Sequence, residues 1–112
     1  MQMIEAVIKP HKLDAVKQAL AEIGVLGVTA IECKGFGKQM GHTERYRGAK
    51  VDVGFVPKIM LRICVKDQDV DSTVDAIMLH ARTGEVGDGK VFVYPVQKVY
   101  RIRTKEEDDL AL

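Results

Sequence analysis

The order strand, helix, strand occurs twice along this chain, once on each side of a glycine-rich stretch, and that repetition restricts the fold more than any other feature. Met3 to Ile8 is apolar apart from Glu5 and predicts a strand, which Pro10 stops. Apolar residues then recur from Leu13 at Val16, Leu20 and Ile23, the spacing of one helix face. Gly24 and Gly27 end that helix, and Val28 to Cys33 predicts a second strand. In the second half Ile59 to Val65 predicts a strand, and Asp67 and Asp69 are placed to cap a helix. The apolar face of that helix is Val70, Val74, Ile77 and Ala81. After Gly84, Gly87 and Gly89, a strand is predicted at Val91 to Tyr94. Pro95 turns the chain, and Val96 to Ile102 predicts a last short strand. The expected fold is α+β and ferredoxin-like, βαββαβ with a short C-terminal strand, as a single domain over residues 1–112.

Between the halves, Gly35 to Pro57 carries five glycines (Gly35, Gly37, Gly41, Gly48, Gly54) and several charges. No persistent period runs through it, although Val51, Val53 and Phe55 alternate briefly. A loop this long in so small a domain is usually functional, here a candidate contact arm. Two helices cover only one face of a sheet. On the third predicted strand Ile59, Leu61, Ile63 and Val65 share one face, and Lys58, Met60, Arg62 and Cys64 share the other. Phe92 and Tyr94 likewise share a face. An uncovered face of mixed apolar and charged residues fits burial against copies of the same chain, with a polar ligand site at the rim. A solvated face with scattered apolar residues fits the same pattern.

Hydrophobic residues make up 46% of the chain and charged residues 29%, which suits a water-soluble globule. Trp is absent and aromatics are few, so the core is expected from Val, Ile, Leu, Ala and Met. The net charge of +1 argues against a nucleic-acid binder. No apolar run reaches membrane-spanning length and no signal-peptide pattern opens the chain, so a cytoplasmic location is expected. There, Cys33 and Cys64 are expected to act as small hydrophobes rather than as a disulfide.

Chemistry is concentrated at three places. In Thr83-Gly84-Glu85-Val86-Gly87-Asp88-Gly89-Lys90, glycines let backbone N–H groups approach an anion and Lys90 supplies charge. The spacing is not that of a P-loop, and Gly-Asp-Gly taken alone is more often a plain turn. Arg101 and Arg103, if on a strand, point to one side, where an anion such as phosphate would separate their charges; a solvated edge strand is the alternative. Lys58 and Gln39, beside Lys38, stand at the two bases of the long segment, where a carboxylate ligand or a solvated loop base both fit. His11, His42 and His80 lack ligand spacing and are read as non-catalytic, and Glu106 to Asp109 as a solvated end. No nucleophile–base set or metal-ligand cluster stands out, so no enzymatic role is expected.

Several stretches, in order, resemble the PII family of signal-transduction proteins over essentially the whole chain. They are Ile4-Glu5-Ala6-Val7-Ile8-Lys9-Pro10, Lys34-Gly35-Phe36-Gly37-Lys38-Gln39 with Gly41-His42-Thr43-Glu44, and Tyr46-Arg47-Gly48-Ala49. Ala81-Arg82-Thr83-Gly84, Gly87-Asp88-Gly89-Lys90-Val91-Phe92-Val93 and Arg101-Ile102-Arg103-Thr104 complete the set. The resemblance implies a homotrimer with nucleotide clefts between neighbours and a T-loop, at about residues 36–56, between strands 2 and 3. It implies ATP or ADP contacts at Thr29, Gly37, Lys38, Cys64, Gly87, Asp88, Gly89, Lys90, Arg101, Ile102 and Arg103. It further implies that 2-oxoglutarate binds beside Mg-ATP, with Gln39 helping to ligate Mg2+ and Lys58 pairing with the effector carboxylate. Effector and nucleotide together would then favour one T-loop conformation, which selects the target.

Tyr46, Arg47 and Gly48 would touch a partner protein, either an Amt-type ammonium channel, the only expected membrane contact, or a nitrogen-metabolism enzyme or regulator. Val51 and Ala49 stand where many members carry a modifiable Tyr or Ser, so control by binding alone is expected. Arg62 replaces a usual acidic residue and is expected to place a second cation on the face of Lys58; Gly54 also departs from the family's frequent Asp. These departures keep an alternative open, a PII-like paralogue that senses adenine nucleotides with another second effector such as bicarbonate.

Overall fold

The computed structural model describes residues 1–37, 44–46, 49–51 and 54–112. In chain order its elements are β1 (Gln2–Ile8), α1 (Leu13–Glu22), β2 (Thr29–Gly35), β3 (Glu44–Tyr46), β4 (Ala49–Val51), β5 (Val56–Val65), α2 (Val70–Ala81) and β6 (Lys90–Pro95). Four strands form one antiparallel sheet in the order β2-β5-β1-β6. With its two helices this is the expected α+β, ferredoxin-like arrangement. The short pair β3 and β4, with Glu44 opposite Val51, lies inside the segment expected to be a loop.

The core follows from the two periodicities. Ile4, Ala6 and Ile8 alternate on β1 and meet Leu61, Ile63 and Val65 on β5. Val16 and Leu20 of α1 and Ile77 and Ala81 of α2 cover them. Each fully buried Ile or Leu contributes about 1.5–3 kcal/mol through the apolar surface removed from water. Ile23, expected on the buried face of α1, lies past its end and is exposed, and Ala19 takes its place in the core.

Strand register places Met3, Glu5, Val7, Lys58, Met60, Arg62, Cys64, Lys90, Phe92 and Tyr94 together on the opposite face. Among the described residues no helix covers that face. Ile31, Phe92 and Tyr94 stand partly open on it, at 41%, 49% and 38% exposure. Lys58 is the exception, at 6%.

Cys33 lies opposite Lys58, six positions along β5 from Cys64, or roughly 20 Å at strand rise. That separation is far beyond disulfide reach, and both thiols are free.

Three local expectations fail for identifiable reasons. Val96 to Ile102 is not a strand; β6 ends at Pro95 and, among the described residues, the following chain makes only the isolated bridge Tyr100 to Glu107. The reason is the acidic tail, which is not a solvated end but folds back onto this segment. Asp108 accepts from Val99 N–H at 3.3 Å and Lys98 Nζ at 2.9 Å, while its own N–H donates to the Val99 carbonyl at 2.8 Å. Asp69 stands at the α2 N-cap without a side-chain capping bond; instead Thr73 Oγ1, fully buried, donates to its carbonyl at 2.7 Å. Asp67 accepts from the Met1 ammonium at 2.8 Å and from Gln2 Nε2 at 3.2 Å rather than from the helix. Among the described residues no helix is long and apolar enough to cross a membrane.

Candidate functional site

The glycine loop between α2 and β6 is fastened to the end of β1. Gly89 has φ +98°, and a Cβ there would lie 1.7 Å from the Val7 carbonyl oxygen, so only glycine permits this approach. One residue earlier, the Asp88 carboxylate accepts from the backbone N–H of Thr83 at 2.8 Å and of Gly84 at 2.9 Å, and from the Thr83 hydroxyl. Lys9, just beyond β1, places Nζ 3.3 Å from Asp88 Oδ1 and donates to Thr83 Oγ1 at 3.1 Å. The Thr83 hydroxyl first, then the two N–H groups and Lys9, hold the Asp88 carboxyl well below the usual carboxylate range against the cost of desolvation.

Lys58 crosses from β5 to this loop. Its stem lies over Gly35, where a Cβ would meet Cγ at 3.1 Å, and its ammonium donates to the Gly87 carbonyl. The side chain therefore joins the base of the long segment to the glycine loop. Burial lowers the Lys58 pKa, the nearby Lys9 charge lowers it further, and Asp88 opposes both. Phe36 and Phe55 also meet at that base, with ring centroids 5.7 Å apart at 51°.

A cavity of about 480 Å³ opens here, lined by Gly35, Gly37, Lys58, Gly87, Gly89, Lys90 and neighbouring apolar residues. Among these are five of the predicted ligand-binding residues. Two lysines facing a glycine loop, with Lys9 behind it, make a donor set that fits an anion. Asp88 borders the loop, but its carboxylate is already taken up by Thr83, Gly84 and Lys9.

Thr29 and Cys64 lie elsewhere. Thr29 faces Arg62 across the β2–β5 ladder, and with Cys64 they line a second cavity of about 530 Å³ that reaches Val99 and Leu112. Along β5, Arg62 stands four positions from Lys58, roughly 13 Å at strand rise. Arg62 is not a second unpaired cation beside Lys58, as expected from the sequence; it pairs with Glu5 at 3.2 Å.

Arg101, Ile102 and Arg103 are not on a strand, so the side-by-side reading of the two guanidiniums fails. Arg101 Nη2 donates to the carbonyl oxygens of Ala111 at 3.4 Å and Leu112 at 2.9 Å, whereas Arg103 and Ile102 are exposed. Lys38, Gln39, Arg47 and Gly48 lie outside the described residues, and Tyr46 is described only as the end of β3. Among the described residues no group of three His, Cys, Asp or Glu is arranged to hold a metal ion.

Sequence reasoning missed Lys9 as part of the site, gave Thr83 no role of its own within the glycine loop, and missed Glu5 and Tyr94 as partners of Arg62. Lys9 and Thr83 are separated by 74 positions, so no local spacing could have joined them.

The family model for nitrogen regulatory protein P-II matches residues 1–106. The chain is 56% identical over 112 residues to nitrogen regulatory protein P-II 1 of Escherichia coli (strain K12), covering 100% of both chains. It is also 56% identical to nitrogen regulatory protein P-II of Klebsiella oxytoca and 53% identical to that of Pasteurella multocida (strain Pm70), again over the full length of each.

Proposed function

The chain belongs to the nitrogen regulatory protein P-II family, and on that premise we propose that it is a homotrimeric, cytoplasmic signal-transduction protein that binds ATP or ADP in clefts between subunits. The observation that carries this reading is the placement of Lys58 and Lys90 around a glycine loop pinned to β1. Two cavities on one chain, each with part of the predicted contacts, support a cleft completed by a neighbour. One subunit would supply Gly37, Gly87, Gly89 and Lys90; the next would supply Thr29, Cys64, Arg101, Ile102 and Arg103. The uncovered sheet face, with Ile31, Phe92 and Tyr94, is the surface that trimer formation would bury.

Phosphate binding would use the Lys90 ammonium and the exposed Arg103 guanidinium, which offers paired donors. A magnesium ion would screen the phosphate charge, with Gln39 as a protein ligand and phosphate oxygens supplying others. Lys58 would pair with a carboxylate of 2-oxoglutarate. Because Lys58 already joins Gly35 to Gly87, an effector that draws its ammonium away would alter how the T-loop base is held. That is a binding linkage between ligand and T-loop conformation.

The T-loop, through Tyr46, Arg47 and Gly48, would then meet an Amt-type ammonium channel or a nitrogen-metabolism enzyme or regulator. The relatives are named as regulatory proteins, which fits a role without catalysis. With Val51 and Ala49 in place of modifiable residues, signalling would run on binding alone.

Sedimentation equilibrium with calorimetric titration of ATP and ADP tests this reading. A trimer that takes both nucleotides competitively supports it. A monomer, or a chain that takes neither, contradicts it.

A further inference from the structure

The carboxylate of Asp88 stands in a loop whose surroundings otherwise suit an anion, and its bonds explain how. It is engaged by the Thr83 and Gly84 N–H groups, the Thr83 hydroxyl and the Lys9 ammonium. Thr83 Oγ1 also accepts from Glu85 N–H at 3.1 Å and from Lys9 Nζ at 3.1 Å, so the hydroxyl is a hub for both strands of the turn. A carboxylate left free here would repel phosphate oxygens. One held by this many donors is turned away from the cavity and is absent from its lining.

From this geometry we propose that Lys9, Thr83 and Asp88 form a positioning clasp, in which the Asp88 carboxylate does not contact nucleotide but fixes the Gly87–Lys90 turn against the end of β1. The proposal rests on reading that turn as the phosphate-binding element. Asp88 fastens the turn from one side while the close approach of Gly89 to Val7 fastens it from the other. Gly87, whose carbonyl holds Lys58, directly precedes these two fixed points. The clasp thereby sets the two groups that face the cavity from opposite walls, Lys90 on the β6 side and Lys58 on the β5 side.

The test compares Thr83→Ser, Thr83→Val, Asp88→Asn and the Thr83→Val/Asp88→Asn double variant in the full-length protein. Calorimetry reads ATP affinity, and amide hydrogen exchange reads Thr83 and Gly84 without nucleotide. Thr83→Val and Asp88→Asn should each weaken ATP by about tenfold, the loss of a charge-assisted hydrogen bond. The double variant should lie within about twofold of the worse single variant, because the residues act as one unit. Thr83→Ser keeps the hydroxyl and should retain affinity within about twofold. Both damaging single variants should accelerate exchange at Thr83 and Gly84. Losses that multiply to about a hundredfold in the double variant overturn the clasp, because they mark Asp88 as an independent ligand. So does an affinity loss in Asp88→Asn with amide protection unchanged. A parent protein that binds no ATP overturns the nucleotide reading itself, an outcome distinct from a parent that binds well with independent, multiplying losses.

Discussion

Glu5 and Arg62 face each other across the β1–β5 ladder, with Arg62 Nε 3.2 Å from Glu5 Oε1. The Tyr94 hydroxyl completes the group: it donates to the same glutamate oxygen and accepts from Arg62 Nη2 at 3.4 Å. The Tyr94 hydrogen bond, and then the Glu5 charge, raise the Arg62 pKa further above its ordinary value. An arginine at this position is therefore matched within its own chain rather than set against Lys58.

Replacing Arg62 with an acidic residue should destabilise the protein, because Arg62→Glu would set two carboxylates directly opposite each other on one sheet face. The urea midpoint should fall in Arg62→Glu and recover in the Glu5→Arg/Arg62→Glu double variant. Equal midpoints in all three proteins would show the pair to be without consequence.

Lys58 should give effector binding a pH dependence. Its pKa is lowered, mainly by burial, so it loses its proton at lower pH than an ordinary lysine. An anion needs the charged form. Affinity for 2-oxoglutarate should thus fall as pH rises through the lowered pKa, below the ordinary lysine value of 10.5. Lys58→Arg should hold its affinity constant over that range. For folding the sign is opposite: the unfolded chain keeps the proton longer, so Lys58 adds stability as pH rises between its folded and ordinary values.

Gly89→Ala should cost at least about 2 kcal/mol in urea unfolding. Its Cβ would fall 1.7 Å from the Val7 oxygen at a φ of +98°, so either the turn leaves β1 or the β1–β6 pairing opens. Gly24→Ala, at φ +85° but with nothing within 4 Å, should cost less.

The two arginines of the tail should separate. Arg103 is exposed, so Arg103→Ala should weaken ATP by about 1.5–3 kcal/mol with stability unchanged. Arg101 also holds the carbonyls of Ala111 and Leu112, so Arg101→Ala should lower the melting temperature as well as the affinity. Calorimetry and thermal unfolding of both variants check this.

Every element governed by a local period was legible in the sequence. Leu20, Leu61, Ile63 and Ile77 fall on the buried faces that alternation and helical spacing assign them. The glycine loop and Lys58 were legible as residue types, and the fold brings them to one cavity. What failed depended on distant partners. Val96 to Ile102 has strand-like composition, but Asp108 takes the Val99 N–H and diverts the segment from the sheet. The bonds that hold the Asp88 carboxylate were not legible either, because nothing local reveals that Lys9, far from it in sequence, pairs with it. Arg62 and Lys58 share a strand face, but only the register of β1 discloses that Glu5 stands opposite the arginine.

The most direct test of the central claim is calorimetric titration of 2-oxoglutarate into the protein with and without Mg-ATP. Binding is expected only when Mg-ATP is present, with loss of that binding in Lys58→Met while ATP affinity is retained. Nucleotide binding with no uptake of 2-oxoglutarate under either condition would contradict it, and would point to a paralogue with another second effector such as bicarbonate.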